Sequence, residues 1–454
     1  MVSVKALNRL SPPKRDSFNV AIRKPEYGYV RLTGVLIIPF TSAVVFQSVG
    51  VLFLQDIIAP FVLLLLLAQP GAVRQLSPLK ICFALLCLWF FGLAISDWYN
   101  GSAVVDFARG WSRLILLGVN IAMIWLLCRG SAKLISYYTI CSGLASVLGA
   151  LTSSDPYTMG DPWKFGAGAG LITVAAGLTG IPYFRDGVRK YLPEIFVLVL
   201  SVVSLLLNSR TMFAIGALSA GYSLLARWIL RHRRSISKLG FAGIFLSGVI
   251  FAQVIVSAYE YSASEGILGD TARQKYLMQT NNDAGLLLSG RSESLVSLEA
   301  IGDSPILGHG SWAKDPYYTI VYYVKQRQLG LDVPANWKDV GFETDYFIQS
   351  HSHLLGSWVE AGILSVPFWG WTLILAFSSL YGVVARRDQP NVMIITMALI
   401  LIWDVLFSPF SAQARITKAL QIVVLVLSQQ MVRARTLERT AKLSHQLVRL
   451  RARR

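Results

Sequence analysis

The chain has 454 residues, of which 54% are hydrophobic and 15% charged, well below the roughly 25% charged residues of a soluble globular protein. Its formal charge of +17 invites a nucleic-acid-binding interpretation. The Lys and Arg residues, however, are concentrated in short connectors and in both terminal segments, as membrane topology requires, which argues against nucleic acid as a partner.

The apolar residues predict an all-α polytopic membrane protein. A spanning helix needs about 20 mainly apolar residues, and continuous runs such as Phe61–Leu67 lack the alternation of barrel strands. Twelve spans are predicted, with approximate bounds 32–48, 51–69, 79–97, 110–128, 132–151, 166–183, 191–207, 211–228, 238–257, 352–383, 392–408 and 413–431. The sixth is rich in Gly and Ala, which suits close helix packing. The tenth is long enough to tilt or to project beyond the bilayer.

The connectors predict the orientation of these spans. Lys and Arg are abundant in the N-terminal segment 1–31, in alternate connectors and in the tail 432–454. Because an even number of spans puts all of these segments on one side, both termini are expected in the cytoplasm. Helices 1–9 then occupy 32–257, and helices 10–12 occupy 351–431.

The connector 258–350 differs from all others. It is long, polar and more acidic than basic, and the topology puts it on the outer side of the membrane. Loops of this length are usually functional or disordered. The aromatic residues within it favour an ordered cap; they are Trp312, Tyr317, Tyr318, Tyr322, Tyr323, Trp337, Phe342 and Phe347.

Histidines beside this loop are the first candidates for chemistry. His351 stands where the loop enters the tenth span, and a histidine there can act as a general base near neutral pH. An interfacial histidine that only caps a helix or forms a hydrogen bond is the alternative. His309 and His353 are neighbouring candidates, whereas His232 and His445 fall in basic cytoplasmic segments and receive no role.

Helical periodicity separates His351 from the nearest acidic residue of the tenth span. At about 100° per residue, His351 shares a face with Gly362, whereas His353 and Glu360 share nearly the opposite face. Glu360 is therefore not expected to orient His351. It is assigned a structural role, tying the tenth span to a neighbour.

Arginines on the outer side are the second set of candidates. Arg210 follows a tight turn between the seventh and eighth spans, and Arg291 lies in the loop. Arg109 and Arg113 flank Trp111 at the outer end of the fourth span. Arginine suits phosphate because its rigid fork matches the phosphate oxygens and its charge is permanent. The alternative is snorkelling to lipid headgroups, which is preferred for Arg113, left open for Arg109 and disfavoured for Arg210.

Other classes of function receive little support. The sequence has no P-loop, no His/Cys cluster with zinc spacing and no Asp-x-Asp in an outer loop, so no metal or cofactor is expected. The clear mid-span acids are Asp56 and Asp404, and they keep a transporter interpretation open.

Three segments occur in a recognisable order. Asn208–Met212 (Asn-Ser-Arg-Thr-Met) opens a span, and Gly290–Gly310 begins with Gly-Arg and ends with Pro-x-x-Gly-x-Gly. His351 is followed nine residues later by Glu360–Ile363 (Glu-Ala-Gly-Ile). On a twelve-span chain with its large loop before the histidine helix, this order resembles the O-antigen ligase and O-antigen polymerase superfamily of bacterial membrane glycosyltransferases.

One position departs from the family pattern. The family usually has Asn after its histidine, whereas this chain has Ser352, and a His-Ser pair looks more like exopolysaccharide polymerases than lipopolysaccharide ligases. The spacing to Glu360 selects His351 as the family histidine. His353 stays open as a substitute for it.

The resemblance implies a GT-C-like bundle in the bacterial inner membrane, with an active site facing the periplasm. The donor would be an oligosaccharide on undecaprenyl diphosphate, transferred with inversion and without a metal or cofactor. Arg210 and Arg291 would stabilise the leaving diphosphate, and His351 would take the proton of the attacking hydroxyl. Arg109, His309 and His353 are assigned to substrate binding, and Glu360 and Gly362 to structure.

Three functions follow from this resemblance and its alternatives. The first is a polymerase that joins lipid-linked repeat units into a surface polysaccharide among membrane lipids; whether it acts alone or with a flippase and a chain-length regulator stays open. The second is a ligase that transfers the glycan to a lipid A core or another envelope acceptor. The third is a polysaccharide transporter without chemistry.

Overall fold

The computed structural model describes residues 28–47, 50–184, 186–232, 236–267, 273, 293–328, 333, 347–348, 350–385 and 391–451, and it is mostly helical. The helices in chain order are α1 Tyr29–Ile37, α2 Leu54–Leu67, α3 Ala72–Gln75, α4 Lys80–Asn100, α5 Val104–Cys128, α6 Ala132–Leu151, α7 Pro156–Gly160, α8 Gly168–Gly177, α9 Leu192–Leu206, α10 Arg210–Arg231, α11 Lys238–Ser264, α12 Glu293–Asp303, α13 Pro316–Gln328, α14 His353–Ala361, α15 Val366–Ala385, α16 Val392–Phe407 and α17 Ala412–Arg451. The two strands are β1 Val45–Gln47 and β2 Val51–Phe53.

Among the described residues, six helical segments are long and apolar enough to cross a membrane. They are Ser77–Asn100, Val104–Cys128, Ala132–Leu151, Arg210–Arg231, Lys238–Ile255 and His353–Val384. Shorter apolar helices at Tyr29–Ala43, Leu54–Leu67 and Val392–Phe407 coincide with the first, second and eleventh predicted spans. The mostly helical architecture is confirmed, whereas the count of twelve spans stays a prediction.

A short β-hairpin separates the first two apolar helices. β1 and β2 pair antiparallel, with Val45 opposite Phe53, and α2 follows directly. The predicted span 32–48 is therefore wrong at its carboxyl end. Its helix passes into a 3₁₀ turn, Ile38–Ala43, with proline at the start, because proline lacks the N–H that a continuing α-helix needs.

The predicted sixth span is short and packs through glycine. Helix α8 covers only Gly168–Gly177 and is followed by the 3₁₀ turn Leu178–Gly180. A Cβ on Gly170 would lie 2.6 Å from the carbonyl oxygen of Gly143 on α6. The two backbones approach this closely because neither position carries a side chain, as the Gly-rich composition predicts.

The predicted tenth span, 352–383, is not one helix. Helix α14 ends at Ala361, the 3₁₀ turn Gly362–Ser365 follows, and α15 then begins. Gly362 has φ +63°, and a Cβ there would lie 1.9 Å from the carbonyl oxygen of Ile306. The connector 258–350 is called the polar segment from here on. The helix breaks because the backbone of Ile306, in this segment, approaches so closely that only glycine fits.

The main core surrounds α5 and α17. Every residue of α5 from Asn120 to Cys128 is buried, and so is every residue of α17 from Lys418 to Ser428. Helices that are buried on all sides must be apolar around their whole circumference, which both stretches nearly are. α17 continues without a break to Arg451, so the predicted boundary at residue 431 does not appear as an end of the helix.

A second, smaller core joins the polar segment to α14. Val296, Ala300 and Ile301 of α12 pack with Tyr318 of α13 and Val359 of α14. This packing agrees with the expected ordered cap for the described part of the segment. Trp337 and Phe342 lie outside the described residues.

Candidate functional site

Residues 304–312, here called the clasp, hold the polar segment against the end of α14. The backbone N–H of His309 donates to the carbonyl of Val359 at 2.7 Å. The indole Nε1 of Trp358 donates to the carbonyl of Pro305 at 2.8 Å. The Pro-x-x-Gly-x-Gly motif therefore lies at a junction of two backbone segments.

The two glycines of this motif make the junction sterically feasible. Gly308 has φ +76°, and a Cβ there would lie 2.6 Å from the nitrogen of Gly362. Gly310 has φ +87°, and a Cβ there would lie 2.3 Å from Oγ of Ser102. Left-handed backbone and close approach together require glycine at both positions.

The aspartate Asp97 at the end of α4 anchors the clasp. The backbone N–H of Ser311 donates to its Oδ1 at 2.6 Å, and the Ser311 hydroxyl donates to Oδ2 at 2.8 Å. Ser96 contributes next to it, since its Oγ accepts from the N–H of Gly310 at 2.8 Å. Sequence analysis did not single out Asp97; a carboxylate near the end of an apolar helix was the available signal.

His351 stands half-exposed immediately before α14, facing the first residue of α12. Its Nδ1 lies 3.6 Å from Oε2 of Glu293, with the two side chains 42% and 14% exposed. Helix α14 begins at His353, capped by the hydroxyl of Ser352. The prediction that His351 and Gly362 share one face of a helix is therefore wrong. His351 precedes α14, and Gly362 follows its last residue.

Glu293 is the acidic neighbour of His351 that sequence analysis missed. The sequence lacks a periodic relation between the two residues, which are joined only by the fold. The available signal was the position of Glu293 within the Gly-Arg segment, two residues after Arg291. Arg291 itself lies outside the described residues.

Arg210 opens a different helix from the one that follows His351. It is the first residue of α10, after Asn208 with φ +58° and a hydrogen bond from the N–H of Ser209 to the carbonyl of Ser204 at 2.7 Å. α10 packs on α9 and α16, and α14 packs on α12, α4 and α16. Helix α16 thus packs on both the helix that Arg210 opens and the helix that follows His351.

The three residues assigned to substrate binding occupy different surroundings. His353 is 1% exposed, its Nδ1 lies 2.6 Å from the carbonyl of Ser408, and its ring packs against Trp369 and Phe410. His309 is part of the clasp, with Nε2 2.7 Å from the carbonyl of Ala300.

Arg109 lies beside Asp106 on α5 and is 31% exposed. Its Nη1 is 3.6 Å from Oδ1 of Asp106, one turn earlier on α5. The other oxygen of Asp106 pairs with Nζ of Lys314 at 3.1 Å. The Asp106 carboxylate therefore connects α5 to the residues that follow the clasp.

Glu360 contacts the neighbouring helix α5 through a largely buried ion pair with Arg113. Arg113 is 7% exposed, and its guanidinium lies 5.3 Å from the ring centre of Trp312 and 5.2 Å from that of Phe410. The expectation that Arg113 snorkels to headgroups is wrong. Its charge is used inside the protein, where Glu360 balances it.

The two mid-span acids also have cationic partners, both on α17. Asp56 binds Arg415, whose Nε lies 3.2 Å from Oδ1, and Asp404 binds Lys418. Asp404 also accepts from the hydroxyl of Ser408 at 2.7 Å. Paired acids that tie helices together account for both residues without invoking transport.

An apolar groove of about 570 Å³ lies along α10 and α11. Its lining begins at Phe213, one turn after Arg210, and on α10 it extends to Leu225. At 1.5 Å per residue, this distance along the helix is roughly 18 Å. A Cβ on Gly221 or Gly243, both in the lining, would meet nothing within 4 Å, so the groove is open at these points.

Within the described residues, no three His, Cys, Asp or Glu side chains gather into a group that could hold a metal ion. The chain matches no protein-family model, no curated protein and no solved structure.

Proposed function

We propose that this protein is a membrane glycosyltransferase that polymerises oligosaccharide repeat units carried on a polyprenyl diphosphate. The reaction joins the anomeric carbon of one glycan to a hydroxyl of the next at the outer face of the inner membrane, with inversion. The single observation that carries the proposal is that the half-exposed His351 lies beside Glu293. Glu293 follows Arg291 by two residues in the sequence.

The chemistry of His351 fits a general base. An imidazole at a polar surface can accept the proton of an attacking hydroxyl near neutral pH. His353 is the weaker candidate, because it is buried against Trp369 and Phe410 and away from the surface. Its burial supports the choice of His351.

The two arginines supply the positive charge that a leaving diphosphate needs. In the sequence, Arg291 precedes Glu293 by two residues. Arg210 stands at the N-terminus of α10, where the helix dipole also favours an anion. In the proposed orientation this end of α10 faces outward, as does the polar segment.

The apolar groove supports a lipid-linked donor. It starts one turn from Arg210 and continues down α10 between apolar side chains and glycines. A hydrocarbon tail lying there would hold its diphosphate beside Arg210. The same arrangement offers no comparable reason for a nucleotide-sugar donor, whose polar base would gain nothing from the groove.

The experiment that tests the proposal measures release of the lipid diphosphate. Purified protein in lipid nanodiscs receives an oligosaccharide on undecaprenyl diphosphate, and both products are followed by mass spectrometry. We expect Arg210→Ala, Arg291→Ala and His351→Ala each to lower turnover by about 100-fold or more, since charge stabilisation and base catalysis are each of that size.

Matched controls come from the same chain. Arg327→Ala changes an exposed arginine of α13, and His232→Ala changes an exposed histidine at the end of α10; both should keep turnover. Turnover that persists in excess chelator agrees with a metal-independent reaction. Wild-type protein that neither releases the diphosphate nor lengthens the glycan contradicts the proposal.

A ligase would use the same chemistry with a lipid A core or another envelope acceptor. A deletion strain separates the two, because loss of long chains with single repeat units retained on the surface indicates a polymerase. Loss of all attached glycan, with lipid-linked chains accumulating, indicates a ligase instead.

A further inference from the structure

The facing atoms of His351 and Glu293 are both buried and both lack a hydrogen-bond partner among the described residues. They are Nδ1 of the imidazole and Oε2 of the carboxylate. Their separation of 3.6 Å is longer than a hydrogen bond, and neither atom has another hydrogen-bond partner among the described residues. Two unsatisfied and complementary polar atoms at this distance need only a small movement to pair.

The other carboxylate oxygen of Glu293 already has a donor. The hydroxyl of Tyr322, on α13, lies 3.4 Å from Oε1. Tyr322 also packs against the small core of α12, α13 and α14. This contact leaves Oε2 directed at the histidine, so α12 and α13 orient the carboxylate together.

We infer that Glu293 is the positioning residue of His351, with Tyr322 orienting it in turn. This inference rests on the proposed glycosyl transfer. Because Nδ1 faces the carboxylate, Nδ1 carries the proton and donates to Oε2 once the pair closes. The other ring nitrogen, Nε2, is then unprotonated and acts as the base.

The transfer step balances with these roles. The acceptor hydroxyl oxygen forms a bond to the anomeric carbon as the bond from that carbon to the diphosphate oxygen breaks. The hydroxyl proton passes to Nε2 of His351, and the electron pair of the broken bond stays on the leaving diphosphate. Glu293 takes no proton; its negative charge stabilises the imidazolium that forms.

The test compares three variants in the diphosphate-release assay. In Glu293→Gln the carboxamide keeps the size and loses the charge, and we expect kcat to fall about 10- to 100-fold with the donor KM changed less than about threefold. Glu293→Asp, which keeps the charge, should recover at least part of this loss. A merely structural role would not separate Gln from Asp in kcat.

The matched control is Glu299→Gln, the same change on the same helix. Glu299 pairs with Lys325 at 2.7 Å, and the two side chains are about 30% exposed. We expect it to keep kcat within about twofold, since a partly solvated ion pair away from His351 contributes little. Size-exclusion profiles and thermal unfolding identify any variant that has lost its fold.

The outcomes separate the inference from the proposed function. If wild-type protein turns over and Glu293→Gln keeps its kcat, the inference is overturned and the proposed function stands. If Glu293→Gln and Glu299→Gln lose kcat equally, Glu293 has no special role. Wild-type protein without any turnover overturns the proposed function, and the inference with it.

Discussion

Asp97 binds Ser311 through both carboxylate oxygens, at 2.6 Å from the backbone nitrogen and 2.8 Å from the hydroxyl. The same carboxylate accepts from Nε1 of Trp111 at 2.8 Å. Asp97 is 4% exposed, so these donors have no ready replacement in solvent. One buried carboxylate therefore joins α4, α5 and the clasp, which leads through α14 to the surroundings of His351.

Removing this carboxylate should destabilise the clasp. We expect Asp97→Ala to lower the free energy of unfolding by about 3 kcal/mol, because hydrogen bonds to a charged group are lost and their donors stay buried. Ser311→Ala, which removes only one of these hydrogen bonds, should cost about 1 kcal/mol. Thermal unfolding in detergent and hydrogen exchange of residues 304–312 measure both. Equal losses in the two variants would contradict the central role of the carboxylate.

The glycines at the junction should tolerate no side chain. Gly308→Ala puts a Cβ 2.6 Å from the nitrogen of Gly362, and Gly362→Ala puts one 1.9 Å from the carbonyl oxygen of Ile306. We expect each to cost at least about 2 kcal/mol, from overpacking and left-handed strain. Gly302→Ala on α12, where a Cβ meets nothing within 4 Å, is the control and should be neutral or stabilising. If Gly308→Ala changed the free energy of unfolding no more than Gly302→Ala does, the backbone of the clasp would adapt to a side chain and the prediction would be wrong.

The buried pair of Arg113 and Glu360 should be costly to break on one side only. We expect Arg113→Met to lose about 3 kcal/mol, because the carboxylate of Glu360, which is only 15% exposed, loses its cationic partner. Adding Glu360→Gln should recover much of that loss. The control is Lys325→Met in the partly exposed pair with Glu299, which should cost less than about 1 kcal/mol. Thermal unfolding of all variants in one detergent makes the comparison; additive losses in the double variant would contradict it.

Filling the apolar groove should act on the lipid tail of the donor. Gly221→Leu puts an apolar side chain into open space, so we expect the fold to be kept while the KM for a full-length polyprenyl donor rises about tenfold. A donor with a tail of two isoprene units should be much less affected. Leu224→Phe, at an exposed position of the same helix outside the lining, is the control. Equal effects on both donors would place the tail elsewhere.

Much of the architecture could be predicted because it follows from local composition. The apolar runs predict helices at 79–97, 110–128 and 132–151, and the structure has α4, α5 and α6 there. The break in the tenth span could not be predicted in the same way. Gly362 within an apolar helix is common, and its effect depends on the backbone of Ile306, which comes from more than fifty residues earlier in the chain.

The candidate site shows the same division. The sequence predicts His351 and Arg210 as candidates because a histidine at a loop boundary can act as a base and an arginine in a tight turn suits phosphate. Glu293 was missed and Arg113 was misjudged. Glu293 faces His351 and Arg113 pairs with Glu360 across different elements, whereas helical periodicity relates only residues of the same helix.

The sequence by itself determined that this is a helical chain built of apolar segments, with one long polar segment between them, because the length and hydrophobicity of each segment are local properties. It also determined the order of the Ser-Arg, Gly-Arg and histidine segments. Only the tertiary structure decided that the Pro-x-x-Gly-x-Gly motif clasps the end of α14, that Arg113 balances Glu360, and that Glu293 faces His351. These are contacts between residues far apart in the chain, and they form only where packing brings their backbones together.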